Sequence, residues 1–144
     1  MKIYLSGEIH SSWREDIMKG AKALQLPVTF LVPNTDHQSS DDVGEVILGA
    51  EPSGFWKDHK SARINAVKIR LGIESADVVV VKFGEKYRQW NAAFDAGYAV
   101  AKSKPLIVIH PEEFNHALKE IDAAAAAVAR TEQQVVEILQ YLCK

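Results

Sequence analysis

Apolar residues recur along the chain in short continuous runs, separated by segments with a different spacing. A run without polar alternation is typical of a strand in a parallel sheet that is covered on both faces. The run Asp77 to Phe83 is of this kind, because four consecutive valines stand at its centre. The runs predict strands at residues 3–6, 28–32, 77–83 and 105–109.

The segments between these runs have apolar residues at helical spacing or carry the signals of a helix end. Ser11 or Ser12 can cap a first helix, since Glu15 and Asp16 in its first turn suit the helix dipole. Helices are predicted from residue 12 to about 25, and at 55–75, 91–103 and 112–121. Alternating strands and helices predict an α/β fold with a parallel sheet and helices on both of its sides.

Two segments do not follow this alternation. Residues 34–54 are polar and turn-rich, and we expect a long connection there, of a kind that is usually functional or mobile. The alanine run at 123–127 is helical by propensity, but by its place in the pattern it is a fifth strand. We favour the strand, because Thr131 to Gln134 resembles a capping box that opens a last helix.

Composition narrows the class of protein. The chain has 144 residues, enough for one core, and we expect a single domain over 1–144. The net charge of -2 argues against a nucleic-acid partner. Cys143 is the one cysteine, so an internal disulfide is excluded and a cytoplasmic location fits. The sequence has no signal-peptide pattern and no apolar run that would span a membrane, so we expect no membrane partner.

Asp95 is the most informative candidate for chemistry. It follows the strand at 77–83 and lies early in a predicted helix, at the edge where open α/β sheets bind their ligands. Its carboxylate is a candidate nucleophile toward a sugar carbon or a general base on water. The alternative is an acidic residue that only complements the helix dipole. Nearby Trp90 is either core or a stacking partner for a flat ligand, and Tyr98 is either core or a hydroxyl donor.

The end of the first strand supplies a second group of candidates. Gly7 lets the backbone approach a ligand, and the helix that follows favours an anion at its N-terminus. Ser11, Ser12 and Arg14 are possible donors to a phosphate or to a sugar hydroxyl. The alternative is a plain strand–helix turn with a helix cap. The candidates here are Tyr4, Ser6, Gly7, Glu8, His10 and Arg14.

A third group of polar residues lies between the second and third strands. Its acids and histidines include Asp36, His37, Asp41 and His59, but their spacing is not that of a tight metal site. We therefore expect no metal and no cofactor. The adjacent pair Phe55-Trp56 is interpreted as a hydrophobic anchor, with base stacking as the alternative.

Three segments together resemble a known family. They are Ile3-Tyr4-Leu5-Ser6-Gly7, Ile73-Glu74-Ser75-Ala76-Asp77-Val78-Val79-Val80 and Phe94-Asp95-Ala96-Gly97-Tyr98-Ala99. Their order and spacing are similar to those of nucleoside 2-deoxyribosyltransferases, and the segment 84–97 resembles the YtoQ branch. The resemblance implies a flavodoxin-like, or Rossmann-like, three-layer sandwich around a parallel sheet of four to five strands.

The resemblance also implies an activity and its residues. Family members attack C1′ of deoxyribose with a carboxylate, which corresponds to Asp95, and Tyr4 corresponds to a tyrosine that orients it. Residues 7–14 correspond to a turn that contacts the 5′-phosphate in nucleotide-hydrolysing relatives. The substrate would be a nucleoside or nucleotide, and a homodimer or higher homo-oligomer is expected. Substrate-binding candidates are Ser6, Gly7, Glu8, His10, Arg14, Trp90, Asn91 and Tyr98.

The chain departs from the family pattern at three places. The loop before Asp95 carries Gln89-Trp90-Asn91 where the transferases have an acidic residue and a Gly-Ser or Gly-Thr pair. The nucleophile position carries Asp95 where the family usually has Glu, which shortens the reach by one methylene. An acid expected near Ile69 or Arg70, which would protonate the leaving base, is missing, and Asp41, Asp42 or Asp58 is a possible substitute. The alternatives to an enzyme are therefore a non-catalytic nucleotide-binding module and a protein–protein scaffold.

Overall fold

The computed structural model of the protein describes residues 1–85 and 89–144. Its strands are β1 (Lys2–Gly7), β2 (Thr29–Leu31), β3 (Val78–Lys82), β4 (Leu106–Ile109) and β5 (Ala127–Ala129). All of them pair in parallel, in the order β2-β1-β3-β4-β5. This is the flavodoxin-like order, in which the chain reverses its direction of winding between β1 and β3. The predicted fold class is confirmed.

The helices are α1 (Trp13–Ala23), α2 (His37–Leu48), α3 (Gly54–Ser75), α4 (Trp90–Ala101), α5 (Lys119–Ala124) and α6 (Glu132–Leu142). A 3-10 turn lies at Glu112–Phe114. The predicted helices that became α1, α3, α4 and α6 are confirmed, with ends shifted by a few residues. Lys86, Tyr87 and Arg88, which belong to the family-like segment 84–97, lie outside the described residues.

The sheet separates two apolar cores. Ile3 and Leu5 of β1 face the core that is shared with α1 and α6, whereas Tyr4 faces the core shared with α3 and α4. This alternation follows from the two-residue period of a strand. It places Tyr4 and Ser6 on the same face of the sheet as α4, which carries Asp95.

The expectation of a long connection at 34–54 was wrong, because residues 37–48 form α2. Asp36 starts this helix by accepting a hydrogen bond from the N–H of Ser39 at 2.6 Å. α2 then packs closely on α3, where the N–H of Gly44 donates to Ser61 Oγ at 3.0 Å and Ser61 donates to the carbonyl of Asp41 at 2.6 Å. Small and polar groups make this contact, whereas Val46 and Ile47 of α2 are exposed, so the apolar pattern did not predict it.

The segment before the last helix also differs from its prediction. The helix expected at 112–121 is divided into the 3-10 turn and α5. The alanine run is shared, because its first two residues end α5 and the fifth strand begins only at Ala127. The expected fifth strand is therefore present, at a position further along the chain.

Of the two predicted helix caps, one forms. Thr131 Oγ1 accepts a hydrogen bond from the N–H of Gln134 at 3.2 Å, as the capping box predicts. Ser12 stands at the N-cap of α1, but its hydroxyl donates to Asp16 Oδ2 at 3.0 Å and makes no cap bond to the backbone. The start of α1 is held instead by side chains that reach back to β1.

Gly7 ends β1 in a conformation that requires glycine. Its φ is 109°, in the left-handed region, and a Cβ at this position would lie 2.1 Å from the carbonyl oxygen of Lys82. The N–H of the next residue, Glu8, donates to that same carbonyl at 3.0 Å. The turn after β1 is therefore pressed directly against the end of β3.

We expect Gly7→Ala to destabilise the protein by roughly 3 kcal/mol or more, because left-handed strain adds to a backbone overlap that nothing can relieve. Urea unfolding measures the loss. The matched control is Gly49→Ala, since Gly49 has a φ of 88° but open space around it. That variant carries the strain alone, at about 1–2 kcal/mol, and equal losses in the two variants would contradict the importance of the contact with Lys82.

Candidate active site at the ends of β1 and β3

Asp95 is a buried carboxylate that faces the sheet. It shares one face of α4 with Ala92, Ala96 and Ala99, and its exposed fraction is only 8%. These small residues follow the i, i+3, i+4, i+7 pattern of a face that packs on a core. They let α4 lie close to β1 and β3, so that the carboxylate is brought within reach of β1.

The Asp95 carboxylate is bound by Ser6. The buried hydroxyl of Ser6 donates to Asp95 Oδ2 at 2.5 Å. Burial raises the pKa of the Asp95 carboxyl, and the hydrogen bond from Ser6 lowers it in part. Burial disfavours the charged form, whereas a donated hydrogen bond favours it. The site therefore holds a carboxylate that is poorly hydrated and fixed in its orientation.

Tyr4 lies two residues before Ser6, on the same face of β1. Its hydroxyl is buried and has no hydrogen-bond partner among the described residues. Burial first, and the negative charge of Asp95 second, raise the pKa of the Tyr4 hydroxyl far above its ordinary range. The phenol therefore stays protonated and remains a donor near Asp95.

Two cavities meet at Asp95. The first, here called the turn cavity, has a volume of about 470 Å³ and lies beside the turn from β1 to α1. The second, the helix cavity, has a volume of about 440 Å³ and lies between α2, α3 and α4. Both are lined by Ile69, Asn91 and Asp95. A ligand whose central atom sits at Asp95 can therefore extend into one cavity on each side.

Most of the predicted site residues line these cavities. The turn cavity is lined by Ser6, Gly7, Glu8, His10, Trp90 and Asn91, and the helix cavity by Asn91 and Tyr98. Tyr4 and Arg14 line neither of them. The structure thus brings together the residues at the end of β1 with those at the start of α4.

Arg14 is buried behind the turn. Its guanidinium donates to three backbone carbonyls, those of Leu5 at 3.1 Å, Gly7 at 3.0 Å and Glu8 at 2.6 Å. Burial lowers the pKa of Arg14 to about 10, against the effect of the nearby Glu8 charge. In this arrangement the side chain fixes the end of β1 from behind.

The helix cavity contains acids that the sequence suggested as substitutes. Asp41 and Asp58 both line it together with Asp95. Asp41 also pairs with His37 Nδ1 at 2.9 Å. Asp42 is not among the residues that line it and pairs with Lys57 at 2.7 Å. Two carboxyl groups therefore stand in the same cavity as the candidate nucleophile.

Most of one face of α3 was missed by the sequence reasoning, which named only Asp58 of it as a possible site residue. It contributes Asp58, Ser61, Ala62, Asn65, Ala66 and Ile69 to the helix cavity. These residues recur at intervals of three and four, which is the spacing of a single helix face. The signal was present in the sequence as a stripe of small and polar residues, of which Asp58 and Ala62 are exposed.

Four large aromatic residues of α3 and α4 lie outside the core. Trp90 is 71% exposed and Phe94 is 63% exposed, so of the two interpretations of Trp90 the core position is wrong, and stacking on a ligand stays a prediction. Phe55 and Trp56 are also more than half exposed and contact each other edge to face, so they do not anchor the core. Because Ala92, Ala96 and Ala99 occupy the inward face of α4, Trp90 and Phe94 are left on its outer side.

The described residues include no group of three or more His, Cys, Asp or Glu that could hold a metal ion. None of the helices in the described part of the chain is long and apolar enough to cross a membrane.

Comparison with known proteins identifies relatives over nearly the whole chain. The family described as nucleoside 2-deoxyribosyltransferase YtoQ matches residues 4–143. The protein YtoQ of Bacillus subtilis (strain 168) is 47% identical over 140 residues, which cover 97% of this chain and 95% of that protein.

Solved structures of lower identity share the fold. The 2-deoxyribosyltransferase from Bacillus psychrosaccharolyticus has a TM-score of 0.59 at 20% identity and covers 94% of this chain and 90% of its own. A conserved protein from Enterococcus faecalis V583 has a TM-score of 0.63 at 15% identity, with 99% and 98% covered. The CMP N-glycosidase BcmB of Clostridium botulinum has a TM-score of 0.56 at 12% identity, with 99% of both chains covered.

We expect Asp95→Asn to stabilise the protein at neutral pH. Because the folded-state pKa of Asp95 is raised above its ordinary value of 3.8, ionising this group costs stability, and the cost is absent below that ordinary value. The gain from the amide should therefore be largest near pH 7 and shrink as the pH falls. Urea unfolding at a series of pH values measures it.

Asp36→Asn is the opposite control for this measurement. The hydrogen bond from the Ser39 backbone is the main cause that lowers the pKa of Asp36, so its charged form is the favoured one in the folded protein. Its replacement should give no gain at neutral pH. A gain of the same size in both variants would contradict the assignment of the cost to the burial of Asp95.

Proposed function

The chain belongs to the family of nucleoside 2-deoxyribosyltransferase YtoQ, and we propose that it cleaves N-glycosidic bonds of nucleosides or nucleotides with Asp95 as nucleophile. The observation that carries this proposal is the position of Asp95. It is buried, bound by Ser6, and lies where the turn cavity and the helix cavity meet. A nucleoside has the matching shape, because its reacting carbon, C1′, joins the base on one side to the rest of the sugar on the other.

The proposed reaction has two displacements. In the first, a carboxylate oxygen of Asp95 forms a bond to C1′ while the bond from C1′ to the base nitrogen breaks, and the base leaves with the electron pair. In the second, water or another base attacks C1′, and the bond to Asp95 breaks. Water gives the free sugar and loses a proton to solvent, whereas a second base gives a new nucleoside. The enzyme is therefore an N-glycosidase or a deoxyribosyltransferase.

The leaving base needs a proton on its nitrogen. We propose that Asp58 or Asp41 provides it, because both line the helix cavity together with Asp95. This arrangement assigns the base to the helix cavity, where Phe94 and Tyr98 supply aromatic surface. The sugar then lies at Asp95, with its other substituent in the turn cavity.

Tyr4 is proposed to orient the nucleophile. Its hydroxyl stays protonated, is buried near Asp95, and has no partner among the described residues. It is therefore available to donate to the Asp95 carboxylate. Ser6 already does so in the free protein, so the two residues of β1 would hold the carboxylate from one side.

Family membership also bears on the oligomeric state and the cellular location of the protein. We expect a homodimer or a higher homo-oligomer, because the exposed Phe94 and Trp90 lie on the outer side of α4, at the edge of the cavities. We also propose a cytoplasmic location, which the single cysteine, Cys143, supports.

The second candidate function is a nucleotide-binding module without catalysis. The shorter side chain of Asp95 favours it, since a misplacement of about 1 Å can cost on the order of a hundredfold in rate. Calorimetry with nucleosides and nucleotides separates the two functions. Tight binding without release of the base would support the module, and turnover would exclude it.

The test of the enzyme is release of free base from a panel of deoxynucleosides and deoxynucleotides. We expect wild type to release or exchange the base, and Asp95→Ala to lower the rate by about a thousandfold or more, because the nucleophile is removed. Asp16→Asn, at an exposed aspartate of α1, is the control and should keep wild-type activity. The proposal fails if wild type is inactive on the whole panel, or if Asp95→Ala is as active as wild type.

We expect Ser6→Ala to lower kcat by between about tenfold and a hundredfold, because the carboxylate loses its fixed orientation. The hydrogen bond from Ser6 lowers the pKa of Asp95, so its loss should also move the acidic limb of the kcat–pH profile to higher pH. Ser6→Thr keeps the hydroxyl and should restore part of both. An unchanged acidic limb in Ser6→Ala would argue that this hydrogen bond does not act on the nucleophile.

A further inference from the structure

The carboxylate of Glu8 fills the mouth of the turn between β1 and α1. Glu8 is only 6% exposed. Its Oε1 accepts a hydrogen bond from the N–H of His10, and its Oε2 accepts one from the hydroxyl of Ser11 at 2.5 Å. The side chain therefore folds back on its own turn, at the border of the turn cavity.

The N–H of His10 and the hydroxyl of Ser11 are the donors that would bind a phosphate group at this turn. A turn from a parallel strand into a helix normally offers its N–H groups and hydroxyls to an anion. Here Glu8 itself provides the anion. The backbone N–H of Glu8 is also occupied, because it donates to the carbonyl of Lys82 at 3.0 Å.

The charge of the turn cavity also disfavours a phosphate group. Among its described lining residues there is no lysine and no arginine. Glu8 and Asp95 both contribute carboxylates, and the other titratable side chains are those of His10 and His37. The guanidinium of Arg14, behind the turn, donates to the carbonyls of Leu5, Gly7 and Glu8 and does not line the cavity. A phosphate dianion placed here would meet two carboxylates at close range, and like charges brought together in an interface are strongly unfavourable.

A hydroxyl group fits this position better than a phosphate. An ionised carboxylate can only accept hydrogen bonds, and it has more acceptor positions than the two contacts described above use. A sugar hydroxyl can donate to it, whereas an ionised phosphate has only acceptors to offer. With the base in the helix cavity and C1′ at Asp95, the 5′ end of the sugar extends toward the turn cavity.

From this geometry we infer that Glu8 is a specificity-determining residue that selects nucleosides with a free 5′-hydroxyl over nucleoside 5′-monophosphates. The inference rests on the proposed function, because it takes the sugar to be bound at Asp95. It narrows the substrate from nucleosides and nucleotides to the unphosphorylated class.

The experiment compares one 2′-deoxynucleoside with its own 5′-monophosphate. Wild type should have a kcat/KM at least about tenfold higher for the nucleoside, and Glu8→Gln should reduce this ratio by about tenfold, a factor that corresponds to one interaction of ordinary strength. Glutamine keeps the size of the side chain and an oxygen that accepts from His10. Glu15→Gln removes the same charge at an exposed position of α1 and should leave the ratio unchanged.

The same pair of ligands is also tested by thermal shift, which does not need turnover. The nucleoside should raise the melting temperature of wild type more than the monophosphate does, and the difference should disappear in Glu8→Gln. Absence of turnover together with this binding pattern would refute the proposed function and support the role of Glu8. A monophosphate that is bound and cleaved as well as the nucleoside, or a ratio that Glu8→Gln does not change, would overturn the role of Glu8 and leave the catalytic proposal standing.

Discussion

The contact between Gly7 and the carbonyl of Lys82 is the constraint on which the site depends. It brings the end of β1 against the end of β3 at the point where the sheet changes its direction of winding. Arg14 closes the same corner from behind by binding the carbonyls of Leu5 and Gly7. With the corner fixed, Ser6 has one position relative to α4, and that position is within hydrogen-bond distance of Asp95.

This corner combines two opposing requirements. A nucleophilic carboxylate has to be ionised, but burial favours its neutral form and raises its pKa. The hydrogen bond from Ser6 offsets part of that cost without exposing the group to water. The alanines of α4 make the arrangement possible, because larger side chains would hold the helix too far from β1 for the bond to form.

The sequence was most informative where burial is complete. The runs that became β1, β3 and β4 have apolar residues on both faces, so their pattern predicted buried parallel strands. Asp95 was identified from its position after such a run. The sequence was least informative where contacts are small and polar. α2 is held by the side chains of Asp36 and Ser61 and by backbone groups. Polar residues of this kind are also common in loops, so the sequence did not distinguish this helix from a loop. The inward direction of Arg14 also has no sequence signature, since it depends on carbonyls that the turn brings together only in three dimensions.

The pairing of α2 with α3 has a consequence for how the protein can diverge. α2 contacts α3 extensively and is not an element of either apolar core, whereas the proposed nucleophile, Asp95, and its hydrogen-bond partner belong to α4 and β1. The part of the helix-cavity wall that α2 supplies, at Ser40 and Asp41, therefore lies on a different element from the Asp95 carboxylate. Mutations that reshape α2 can change this part of the cavity while the hydrogen bond between Ser6 and Asp95 is inherited intact.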